Sequence, residues 1–178
     1  MKKTILKRLT LVVALLFMTA TGFSQANANN PLAGVENTDM YNTADLIYMD
    51  KDLSVFANLL TLSGLSTSLA LTDNMHTVFV PTNEAFDDMS IERYAELTNP
   101  KNRMMLVKFI NRHITSSKIE SRLLTESKAI DPDGLERIKI SRAGSTIFVG
   151  GAAVIVADVD TSNGLVHVLS DYIKVSDY

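Results

Sequence analysis

Thr77-Val78-Phe79-Val80-Pro81-Thr82-Asn83-Glu84-Ala85-Phe86 is the stretch on which the fold of this chain turns. Thr77 to Val80 are β-branched or aromatic, the composition of a buried strand. Pro81 has no N–H to give to a ladder, so the strand is expected to stop there. Thr82 is a capping residue type and should open a helix at Asn83. Glu84, Asp87 and Asp88 then occupy the first turns, where the positive end of the helix dipole favours carboxylates.

About eighty residues further on, Asn163-Gly164-Leu165-Val166-His167-Val168-Leu169 is a second short apolar strand with turn chemistry at its start. Before the first stretch, Ala44 to Leu71 has helical character. Leu53, Phe56, Leu59, Leu60 and Ser63 share one face, Asp52 is placed to cap its start, and Gly64 suits its end. Leu65 to Leu71 reads as a further short helix. Ile91 to Leu97 gives another, and Asn99-Pro100 opens the next, with Met104, Met105, Leu106, Val107 and Ile110 expected on its buried side.

Past His113-Ile114 the character changes. Ile119 to Leu124 is expected as one or two helical turns. Asp131-Pro132-Asp133-Gly134 is a turn in which Pro presets φ and Gly takes the left-handed position. Strands are expected at Leu135–Ser141, Thr146–Val149, Val154–Val159 and Leu165–Leu169. Helices first and strands second indicate an α+β domain rather than a wound parallel sheet.

The N-terminus reads as an export signal. Lys2, Lys3, Lys7 and Arg8 precede the apolar run Leu9 to Met18, and Ala26-Asn27-Ala28 has the small-residue spacing of a cleavage site. Residues 1–28 are assigned to the signal, with cleavage between Ala28 and Asn29. A dozen apolar residues fall short of the roughly 20 that a spanning helix needs. The domain expected is 44–178, preceded by a flexible leader at 29–43 that is rich in Asn, Gly, Pro and Thr. With no Cys in the chain, neither a lipid-anchor cysteine nor a disulfide is available.

The whole chain has 17 basic and 20 acidic residues. Removing residues 1–28, which hold four basic and no acidic side chains, leaves 13 against 20, a formal charge of −7. That balance argues against nucleic acid as a partner. Asp158 to Gly164 has the composition of a calcium loop but fails its spacing, since position six is Asn163 and position twelve is Leu169. His76, His113 and His167 lack the spacing of a helical metal site, and His167 is expected to be a structural strand histidine. Ser63-Gly64 and Gly144-Ser145 do not complete a nucleophile elbow. No catalytic residue, metal ligand or cofactor is assigned.

The two strand segments resemble the paired signatures of the fasciclin domain family, T-V-F-A-P-T-N-E-A-F and N-G-V-I-H-V-I-D. Val80 stands in place of the usual Ala, and Asp171 comes one position late. Phe109-Ile110-Asn111-Arg112-His113-Ile114 is similar to the family's central Tyr-His segment, with Arg112 at the Tyr position. The resemblance covers about Asp45 to Val175. It implies a β-sandwich or wedge of short strands with several helices on one side, the two signatures on neighbouring central strands. It also implies a secreted bacterial adhesion or interaction module that contacts proteins, matrix or glycan surfaces. The alternative is a periplasmic domain for a small ligand or glycan, with His113 and Ile114 as candidate binding residues.

Overall fold

The computed structural model describes residues 30–126, 129–130, 132 and 137–174. The expected signal and its cleavage point lie outside these, as does most of the turn around Pro132. Helices come first: α1 (Thr43–Met49), α2 (Ser54–Ser63) and α3 (Ser66–Leu71) precede β1 (His76–Pro81). Then come α4 (Ile91–Thr98), α5 (Arg103–Arg112), β2 (Ile114–Thr115), β3 (Ala129–Ile130), β4 (Ile138–Ala143), β5 (Thr146–Val149), β6 (Ala152–Thr161) and β7 (Gly164–Leu169). The fold is α+β, as expected.

The strands form one seven-stranded sheet in the order β2-β1-β7-β6-β5-β4-β3. At its centre β1 and β7 run parallel, with Val78 opposite Val166, Phe79 opposite His167 and Val80 opposite Val168. The two signature strands are therefore neighbours. Because side chains alternate along a strand, the pair feeds two cores. Val78, Val80, Val166 and Val168 pack under the helices with Leu46, Phe56, Leu60 and Ile110. Phe79 and Leu169 point the other way and meet Ile138, Ile140, Ile147 and Val149 from the far strands. The sheet thus curls until its outer hairpins cover the back of its own centre, which gives the wedge.

Three local expectations are corrected. The segment expected as a loose leader is docked from Asn30 onward. Leu32 is buried, its amide donates to the Asp50 carboxylate, and Ser162 N donates to Tyr41 O at 2.8 Å. Met104 is 69 % exposed rather than buried. It lies two residues before Leu106, about 200° around the helix from the Leu106–Ile110 stripe that faces the core. The helix expected at Asn83 is a single 3-10 turn, Asn83–Phe86, and the Thr82 hydroxyl does not cap it. Instead Thr82 N donates to Leu169 O, extending the sheet one step past Pro81. The sequence pattern also missed β2 and β3, two-residue edge strands too short to show any alternation.

Candidate functional site

Both signatures are spent on internal scaffolding. Every residue from His76 to Thr82 and from Asn163 to Leu169 is buried. Their two asparagines do the same job at opposite ends of the pair. Asn83 Oδ1 accepts from Val55 N at 2.8 Å, while its Nδ2 donates to Lys51 O at 2.8 Å. It caps α2, whose own N-cap position holds Leu53 and offers no side-chain acceptor. The capping role expected of Asp52 is therefore taken by a residue from another part of the chain. Asn163 Oδ1 accepts from Thr43 N at 2.9 Å at the start of α1, and its Nδ2 donates to Leu69 O at 2.9 Å at the end of α3. One side chain thus ties two helices to the head of β7. Gly164 beside it has no room for a side chain, since a Cβ there would lie 2.4 Å from His76 O.

The three imidazoles are equally committed. His167 Nε2 donates to Ile119 O at 2.8 Å, its Nδ1 accepts from Asp158 N, and its ring stacks on Phe79 at 5.3 Å. His76 Nδ1 donates to Asn74 O, and its Nε2 sits 2.7 Å from the Thr43 hydroxyl. His113 Nδ1 donates to Phe109 O at 2.8 Å, and its Nε2 accepts from Ile173 N at 3.0 Å. Burial lowers the pKa of all three, that of His113 to about 4. His113, a candidate binding residue, is fully buried with both ring nitrogens engaged, and it pins the C-terminal segment at Ile173. Ile114 does reach a recess of about 210 Å³, bordered by Ser68, Thr72, Asn74 and Asn111. Asp158, the start of the loop with calcium-like composition, accepts from Ser121 N and Oγ and so caps the 3-10 turn Ser121–Leu123. Among the described residues no cluster of His, Asp or Glu is placed to hold a metal ion.

What remains for function is the outer surface, and one face stands apart. A slot of about 450 Å³ beside α4 and α5 is lined by Leu97, Met104, Met105 and Phe109, with Arg93, Lys108 and Arg112 around them. A second hollow of about 310 Å³ adjoins it through Arg112 and is bordered by Arg137, Lys139 and Lys174. A third joins the two through Phe109, Tyr172 and Lys174. Among the described residues, six cations and no carboxylate line these three hollows. Sequence reasoning missed this face because its cations are scattered between positions 93 and 174, and no run of basic residues announces them.

Comparison with known proteins gives a consistent answer. The family model described as Fasciclin domain matches residues 51–175. Protein sll1483 of Synechocystis is 27% identical over 168 residues, which cover 88% of this chain and 93% of that protein. A Plasmodium falciparum protein named heme ligase is 26% identical, over 70% of this chain and 72% of its own length. Transforming growth factor-beta-induced protein ig-h3 of pig is 28% identical over 76% of this chain, but the match spans only 19% of ig-h3. Among solved structures, a FAS1 domain pair from the insect cell adhesion molecule fasciclin I superposes with a TM-score of 0.57 at 17% identity. That match covers 76% of this chain and about half of the domain pair.

Proposed function

This chain belongs to the fasciclin domain family, and from that premise we propose that it is a non-catalytic interaction module working outside the cytoplasm. It makes surface, matrix or protein contacts and performs no covalent chemistry. The observation that carries this reading is the inward use of both signatures. Their asparagines, His167 and Thr77 are consumed by hydrogen bonds to the backbone of other segments, which leaves the outer faces for partners. The fold shared with an insect cell adhesion molecule supports it. The relative named heme ligase does not move the reading toward haem, because each imidazole here would have to abandon an internal hydrogen bond to reach a metal. Export is supported by the pattern of residues 1–28. Among the described residues no helix is long and apolar enough to cross a membrane.

The test has two arms. The full chain is expressed in a bacterial host and fractionated; a product beginning at Asn29 outside the cytoplasm is expected, and a cytosolic product retaining residues 1–28 overturns export. The exported product is then applied to immobilised cell surfaces and matrix proteins. Saturable binding is expected, and its absence on every surface tried sinks the module reading. One observation favours a second reading. The recess at Ile114 is ringed by neutral hydroxyl and amide groups over an apolar floor, a lining suited to a sugar or similar small neutral ligand. A monosaccharide that raises the melting temperature would favour it.

A further inference from the structure

We propose that the cationic face of α4, α5 and the C-terminal segment is a groove for an acidic amphipathic helix of a partner protein. The inference rests on the interaction-module reading and names the surface and the partner's chemistry.

Four observations point to such an occupant. First, α4 is held to the domain mainly by Leu97, its only buried residue, and Ile91 is 83% exposed. Second, the slot beside it is concave and lined by Met104, Met105, Phe109 and Leu97. Methionine is the side chain that best adapts to apolar ridges of varied shape, and the i, i+3, i+4 ridge of a helix is the shape that fills such a slot. Third, the cations are divided between the slot and the hollow beside it rather than gathered in one of them. Arg93, Lys108 and Arg112 border the slot, and Arg137, Lys139 and Lys174 border the adjoining hollow. That distribution calls for carboxylates spread along a ligand, not for one acidic headgroup. Lys108, Arg137 and Lys139 have no ion-pair partner among the described residues. Fourth, the chain as a whole is acidic, so an acidic segment is repelled elsewhere and steered to this one face.

Arg112 sits where the slot and the hollow meet. It places a cation at the junction of the two hollows.

The experiment uses the full chain and a labelled synthetic peptide of about 18 residues, helical, with Leu and Phe on one face and Glu on the other. Fluorescence anisotropy should show saturable binding that weakens with added salt. The double variant Lys108→Glu/Arg137→Glu should bind at least about tenfold more weakly, and a peptide with Lys in place of Glu should restore its binding. Met104→Glu should weaken binding without altering the circular dichroism spectrum. Absence of binding to wild type, or binding indifferent to the double variant, overturns the proposal. So does co-sedimentation of wild type with phosphatidylglycerol vesicles while the peptide is ignored, which would make the face a membrane site. The variants are also applied to the surface and matrix panel. Retained binding there alongside lost peptide binding would mean that the module works through another face. A wild type that binds nothing on the panel removes the underlying function instead.

Discussion

The parallel pair β1–β7 and the face built from α4, α5 and Lys174 obey opposite rules. In the pair, every side chain from Val78 to Val80 and from Leu165 to Leu169 is enclosed, and each polar group has a fixed internal partner. On the face, apolar Met104 and Ile91 are open to solvent, and Lys108, which has no ion-pair partner among the described residues, borders the same slot as Met104. A region that reads as strongly patterned is here the region that does not meet the outside. The region with no visible pattern is the one that can. The comparison teaches that these signature strands mark what the fold needs, while the exposed cations stand where substitution is structurally cheap.

The contrast should break most visibly in the pair. Phe79→Ala is expected to cost about 4 kcal/mol, since the ring fills the back core and stacks on His167. Val168→Asp, which places a carboxylate in the helix-side core, should cost at least as much. Urea unfolding measures both, and a midpoint like that of wild type in either case would mean the core is elsewhere.

Acid should act next, and again through the interior. His113 titrates near 4 in the folded protein, because burial disfavours the imidazolium and Ile173 N donates to the ring nitrogen that would take the proton. In the unfolded chain it titrates near its ordinary value of about 6.5. A lowered folded pKa on a base means that the unfolded state takes up the proton first. Stability is therefore complete above pH 6.5 and falls as pH drops toward 4, by about 3 kcal/mol for His113 at the lower limit. His76 and His167 shift in the same direction and add to the loss. A urea midpoint that stays constant between pH 7 and pH 4.5 would contradict the buried, neutral assignment.

Smaller effects sharpen the boundary between the regions. Gly164→Ala drives a methyl into a backbone oxygen and should cost about 2 kcal/mol, read as a lowered melting temperature. Asn83→Ala removes the cap of α2 and should cost about 1 kcal/mol, with amide exchange rising first at Val55. Lys108→Glu should leave stability within about 0.5 kcal/mol, since the side chain has no internal partner to lose. If Lys108→Glu destabilised the domain as much as Asn83→Ala, the face would be part of the scaffold and the contrast would fail.

Sequence pattern reached far into the scaffold. Apolar and β-branched composition in Thr77–Val80 and Leu165–Leu169 located two strands, Pro81 ended one, and Gly64 closed a helix with positive φ. These are local matters, decided by propensity and backbone sterics within a few residues. His167 was read correctly as a strand histidine for the same reason, because one-residue alternation placed it opposite Val166 and Val168. The solvent-facing cationic side was not legible in this way. His113 looked available and is sealed, whereas Met104 looked buried and is open.

The amino-acid sequence by itself determined the two strand segments and the order of helices and strands, because each depends on neighbours in the chain, and the resemblance of the two segments pointed to the family. Tertiary structure alone decided that Asn83 and Asn163 cap helices 28 and 120 residues away. It also gathered six cations from positions 93 to 174 around an apolar slot and the hollow beside it. Both depend on distances set only when the curled sheet brings remote segments together, and no local pattern in the chain encodes them.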